Sequence, residues 1–201
     1  MLRLTGMAVA FVATISAAAA EVPPDNPTNL VSTRELRPFV FDAKEGTYQS
    51  RNVPLDCGTN AVQLKAHFTR LGKQKTKWAP AISLSIVSAG ILAAVQIAPK
   101  DFNPPIQIAV VTFDLDHQTE VERVMLYNTF ELETPVPVLA TWSSDGLITF
   151  NVGGETRSVN LRGPVTQVSV AGSTGAGVID PLETGRTRGT DLTKSCATPH
   201  L

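Results

Sequence analysis

Most of the residue patterns that announce chemistry are missing from this chain. Only two of its 201 residues are cysteine and three are histidine. No C-x-x-C occurs, and His67, His117 and His200 are scattered. Neither a dithiol redox motif nor a locally written zinc site is present. Positive charge is scarce too: Lys and Arg total 17 against 18 acidic residues, a net charge of −1. That balance excludes a general nucleic-acid binder, which would be basic. Gly172 to Gly177 is rich in glycine, but no G-K-[ST] follows, which excludes a phosphate loop there. The serine elbow G-x-S-x-G is absent. The one Asn-x-Thr, at Asn26, has Pro27 in its middle and is not a glycosylation acceptor. Heptads, internal repeats and long amphipathic helical stripes are also lacking. Aromatic residues make up only 6% of the chain.

What is present begins with an export signal. Arg3 supplies a positive start, Leu4 to Ile15 is apolar and uncharged, and Ala18 and Ala20 give the A-x-A pattern before Glu21. The apolar stretch is shorter than the roughly 20 residues a membrane span needs. Residues 1–20 therefore read as a signal peptide, and the remainder as one periplasmic or secreted domain. In an exported chain an even cysteine count suggests a disulfide, here Cys57–Cys196, with a redox pair or metal site as the alternative. Such a bridge would close a loop of about 140 residues, worth roughly 4–5 kcal/mol in the chain-entropy model.

The pattern after the signal is one of short strands. Residues 21–37 read as an extended lead-in, and Pro38 to Asp42 as a first strand. Ala61 to Leu71 alternates strictly: Val62, Leu64, Ala66 and Phe68 face one way, Gln63, Lys65, His67 and Thr69 the other. Further strands are expected at 81–87, 91–97, 106–115, 121–132, 136–142, 147–152, 155–161 and 165–171, with turns at Ser144-Asp145-Gly146 and Gly153-Gly154. Gly172 onward reads as irregular. About ten short strands and no long helix indicate an antiparallel β-sandwich or barrel. The domain is placed at 38–182, with an irregular tail at 183–201. An uncharged run, Ala79 to Ala98, is long enough for a membrane span and follows Lys73, Lys75 and Lys77. Ser83, Ser85, Ser88 and Gln96 dilute it and Gly90 sits at a turn, which favours two strands. A single helix across Gly90 is the alternative, and with it membrane contact.

The segment Trp142 to Glu155, with a D-G turn and a G-G turn between three strands, resembles the consecutive hairpins of concanavalin A-like jelly rolls. That superfamily includes laminin-G modules, legume-type lectins and glucanases. The resemblance implies an antiparallel jelly-roll sandwich and, as a function, lectin-like binding of carbohydrate.

The most site-like cluster is Asp114-Leu115-Asp116-His117-Gln118-Thr119-Glu120. Asp114 and Asp116 are two apart on a strand and share a face. A pair of carboxylates can serve a retaining glycosidase. The spacing is similar to the E-x-D-x-x-(x)-E signature of laminarinase-like glucanases, which implies Asp114 as nucleophile, Asp116 as assisting acid and Glu120 as acid/base. Aspartate stands where those enzymes carry a glutamate nucleophile. The same oxygens could hold calcium. The lectin pattern places a glutamate two positions before the first aspartate, where this chain has Thr112. A solvated turn at a strand end is the plainer reading. Arg70, Lys73, Lys75 and Lys77 beside Trp78 read as a charged hairpin tip or as a grip for anions. Tyr48, Tyr127 and Trp142 are candidate sugar platforms. Trp142 continues the face of Val136, Val138 and Ala140, and Tyr127 keeps phase with Val121 and Met125, so both are expected in the core.

The expectation is an exported, non-catalytic β-sandwich binding a glycan or a cell-envelope partner, with no cofactor and no ligand-binding residue assigned. The alternatives are a glycoside hydrolase using Asp114, Asp116 and Glu120, calcium held by Asp114 and Asp116, and a membrane-associated envelope protein.

Overall fold

The computed structural model describes residues 30–72, 79–100 and 103–187. They form eleven strands: β1 (Leu30–Leu36), β2 (Phe39–Asn52), β3 (Ala61–Leu71), β4 (Ala81–Ser88), β5 (Ile91–Lys100), β6 (Asn103–Asp114), β7 (Thr119–Phe130), β8 (Val136–Trp142), β9 (Leu147–Val152), β10 (Glu155–Asn160) and β11 (Gln167–Thr187). All pairings between them are antiparallel. The strict alternation of β3 and β4 is seen in their burial, where every second side chain is enclosed.

The strands form one hydrogen-bonded sheet folded into two layers, and β11 is the hinge between them. Its first part, Gln167–Ser173, pairs with β4 on one side and with Tyr48–Asn52 of β2 on the other. Its second part pairs with β3 on one side and with β1 and the start of β2 on the other. The first layer therefore runs β2-β11-β4-β5-β6-β7, and the second runs β1/β2-β11-β3-β8-β9-β10. The change of layer falls at Thr174, which has φ 45° and sits at a shift in the β11–β2 register. A β-branched residue is strained there. Its carbonyl accepts the Gly72 amide at 2.9 Å and its hydroxyl accepts the Gly46 amide at 3.2 Å.

Between the layers lies one apolar core. Ile82, Leu84, Ile86, Val95, Ile97 and Ile108 come from the first layer, and Leu64, Phe68, Val138, Trp142, Ile148 and Phe150 from the second. Trp142 is buried as expected. The side opposite the hinge is closed by side chains instead of strand pairing. Glu155 on β10 accepts the backbone amides of Tyr127 at 3.0 Å and Asn128 at 2.5 Å, Asn128 donates to the Gly153 carbonyl at 3.0 Å, and Arg157 pairs with Glu122 at 3.1 Å. Glu155 and Arg157 sit opposite Val152 and Phe150, so charged groups on an edge strand point inward. This arrangement blunts an edge against pairing with another chain.

Three differences from the sequence expectation stand out, and one alternative falls. The lead-in contains β1. The chain from Gly172, expected to be irregular, continues β11 to Thr187, past the expected boundary at 182. Its glycines do not break the strand: Gly172 and Gly177 lie against the Phe41 ring, where a Cβ would not fit. Residues 79–98 carry the two strands expected, β4 and β5, joined at Ala89 and Gly90, both at positive φ, so the alternative of one helix across Gly90 does not hold. Among the described residues no helix is long and apolar enough to cross a membrane. Finally, Tyr127 is not core: it is 94% exposed, and Val121 and Met125 are exposed with it. The opposite face of β7, with Val124, Leu126 and Phe130, turns inward. The signal peptide, the Lys73 to Trp78 tip, His200 and Cys196 lie outside the described residues.

Candidate functional site

The outward face of the first layer is an open sheet surface. No described strand is stacked over it. Its middle is built from small side chains: Ser83 and Ser85 on β4, Ala94 on β5, Ala109 on β6, Ser169 and Ala171 on β11. The register aligns them, with Ser85 opposite both Ala94 and Ser169. Ala94, Ala109 and Val111 are only 2–3% exposed although they face away from the core cluster. On the outward face of β8 to β10 in the other layer, Pro137, Leu147, Thr156, Ser158 and Asn160 are exposed, Thr141, Thr149 and Asn151 are half-buried, and Leu139 is buried. A strip of Ser and Ala between larger side chains on β7 and β2 makes the outward face of the first layer a shallow trough.

Larger groups on β7 border this floor. Tyr127 and Met125 stand next to one another on the outward side, and Arg123 lies opposite Val111. Tyr48, half exposed, marks the far border on β2. Arg123 reaches from β7 across β6 to β5. Its Nε and Nη2 donate to the two Glu120 carboxylate oxygens at 2.9 and 2.7 Å, and Nη1 donates to Gln96 Oε1 at 3.0 Å. Residues 120 and 123 would fall on opposite faces of a regular strand. A bulge at Val121 restores them to one face, since Glu120 pairs with Phe113 and Arg123 with Val111. The Arg123 guanidinium holds the Glu120 carboxyl below its ordinary pKa.

The acidic cluster is separated by the same register. Asp114 pairs with Thr119 and Glu120 with Phe113, so the two carboxylates leave opposite faces of the sheet. Asp114 is tied into the β6–β7 turn, accepting the His117 amide and sharing a hydrogen bond with His117 Nδ1, both at 2.9 Å. The His117 amide, and then its ring, lower the Asp114 pKa, and the same contact raises that of His117. Asp116 leans over the β4–β5 turn, where a Cβ on Gly90 would lie 3.0 Å from its Oδ2. The hydrolase alternative on Asp114, Asp116 and Glu120 thus has no converging carboxylates to rest on. For calcium, Asp114 spends its oxygens on His117. Among the described residues no group of three or more His, Cys, Asp or Glu is placed to hold a metal.

Two other features lie elsewhere. Arg70 at the end of β3 is ion-paired with Asp42. A cavity of about 260 Å³ beside β1 and the end of β11 is bounded by Arg34, Asp56, Cys57, Thr184 and Arg186. Arg34 pairs there with Asp56 at 3.0 Å and Arg186 donates to the Cys57 carbonyl at 2.5 Å. Among the described residues no cysteine is free.

No family model and no curated protein matches the sequence. Solved structures similar to the chain include lectin-type and carbohydrate-binding domains and a glycosidic hydrolase. One is the Emp47p carbohydrate recognition domain, at 13% identity over 80% of this chain and 90% of that one, with a TM-score of 0.49. Others are the Caenorhabditis elegans galectin LEC-6, at 12% identity over 73% and 94% with a TM-score of 0.46, and the carbohydrate binding module CBM66 from Bacillus subtilis, at 8% over 77% and 96% with a TM-score of 0.47.

Proposed function

We propose that the chain is an exported, non-catalytic β-sandwich module that binds a glycan on the outward face of its first layer, in keeping with a cell-envelope setting. The observation that carries this reading is the trough itself. Its floor of Ser and Ala lets a flat, hydroxyl-rich ligand approach the sheet. Gln96 and Arg123 offer polar contacts fixed by their own hydrogen bonds, and Tyr127 offers an exposed ring at the rim. Few placed polar groups beside an apolar surface is the usual make-up of a small-molecule site. Export rests on Arg3, the apolar run to Ile15 and the Ala18-x-Ala20 pattern.

The test is retention of the purified mature chain on a glycan array, wild type against Ser85→Trp. Ser85 faces outward over Ala94 and Ser169, so the indole fills the trough without entering the core. Binding by the wild type and its loss in the variant support the reading. Equal binding by both would place the ligand elsewhere.

A further inference from the structure

Resting on that reading, we propose that the glycan taken by this trough is uncharged, and that Arg123 is its principal hydrogen-bond donor, working as a charge-neutralised fork. The first argument is the charge content of the face. Ser83, Ser85, Ala94, Gln96, Ser169 and Ala171 make up its floor, and none ionises. Among the described residues, the ionic groups that border its middle are Glu120 and Arg123, and they are paired with each other through two hydrogen bonds, at 2.7 and 2.9 Å. A bidentate carboxylate–guanidinium pair leaves little net field on its surroundings.

The second argument is donor capacity. A guanidinium has five N–H groups. Glu120 takes one from Nε and one from Nη2, and Gln96 takes one from Nη1. One N–H remains on each terminal nitrogen, on a group held in place from both sides and lying over Val111 at the floor. A sugar hydroxyl or ring oxygen can accept these without disturbing the pair. A sulfate or carboxylate would instead be brought next to the Glu120 carboxylate, and like charges at such range repel. Tyr127, one position beyond Met125 on the same outward row, adds a ring face for the C–H side of a sugar. The site therefore discriminates against anions by the very residue that makes Arg123 a good donor.

The experiment is an array carrying neutral oligosaccharides beside their sulfated and uronic-acid counterparts, read at low and high salt, with the full mature chain. The wild type is expected to be retained on neutral probes, with a signal insensitive to salt, and more weakly on the anionic counterparts. Arg123→Met is expected to lose about ten-fold or more on the neutral probes, the loss of one well-placed donor. Glu120→Gln frees the Arg123 charge and is expected to gain retention on sulfated probes that high salt abolishes. Salt-sensitive preference of the wild type for anionic probes would overturn this inference and leave glycan binding standing. Neutral binding unchanged in Arg123→Met would overturn the role of Arg123. Retention on neither class would overturn glycan binding itself, and this inference with it.

Discussion

Replacing Gly172 by alanine should cost this fold far more than one methyl group normally would. Gly172 lies on β11 just before the change of layer, facing inward between Val170 and the hinge. A Cβ there would fall under 3.0 Å from Cγ, Cδ1 and Cδ2 of Phe41 at once. The Phe41 ring has nowhere to go. It is 1% exposed, its centroid is 6.0 Å from that of Phe39 and 6.3 Å from that of Phe68, and Gly177 lies against its far edge. Overpacking a filled core costs about 1–3 kcal/mol, and three simultaneous contacts on a trapped ring put this case near 3. In a domain of this size each kcal/mol moves the melting temperature by about 2–4 °C, so a fall of roughly 6–12 °C is expected. Urea unfolding followed by Trp fluorescence reads the free energy directly, since Trp142 lies in the same core. The companion variant Phe41→Leu removes the obstructing ring, and the double variant should be less destabilised than the two singles added, by about 1 kcal/mol or more. A Gly172→Ala protein within about 0.5 kcal/mol of wild type, or strict additivity in the cycle, would refute the packing argument.

Other consequences are equally direct. His117, raised by Asp114, should titrate by NMR with a midpoint above 6.5 and drop back toward that value in Asp114→Asn. The contact stabilises the fold fully below pH 6.5 on the histidine side and fades as pH rises through the raised value. On the Asp114 side it is present above pH 3.8 and fades as pH falls through the lowered value. A wild-type midpoint at or below 6.5 contradicts the contact. Glu155→Ala orphans the Tyr127 and Asn128 amides and should lower stability by about 1–3 kcal/mol. Hydrogen exchange at those two amides should accelerate, and unchanged protection would show that the edge is closed some other way. The Cys57–Cys196 bridge, still a proposal, predicts that the intact mature protein lacks two hydrogens relative to its reduced form by mass spectrometry; two free thiols would sink it.

Much of the scaffold was legible because its physics is local. The ends of β3, β8 and β9 follow from alternation bounded by turn residues, and the Asp145-Gly146 and Gly153-Gly154 turns both place glycine at positive φ. Alternation also separated β4 from β5 at Ala89-Gly90. The site was less legible, for two reasons. Period two shows that Val121, Met125 and Tyr127 stand apart from Val124 and Leu126, but not which set meets the core when both are apolar. A bulge leaves no mark on a single chain, yet the one at Val121 brings Glu120 to Arg123 and keeps it from Asp114. The end of β11 was missed because glycine marks a turn as readily as it marks a place where a ring needs room. At Gly172 and Gly177 the ring of Phe41, distant in sequence, decides.

The central claim is that the outward face of β4, β5, β6 and β11, bordered by β7, is the binding surface. Glycan-array retention of the wild type, Ser85→Trp and Tyr127→Ala, measured beside their unfolding midpoints, tests it most directly. Tyr127 is exposed and Ser85 is half-buried on the outward face, so neither substitution enters the core and both variants should unfold within about 1 kcal/mol of wild type. Wild-type retention, abolished by Ser85→Trp and reduced about ten-fold by Tyr127→Ala, is the predicted result. Retention that survives both substitutions in well-folded proteins would contradict it.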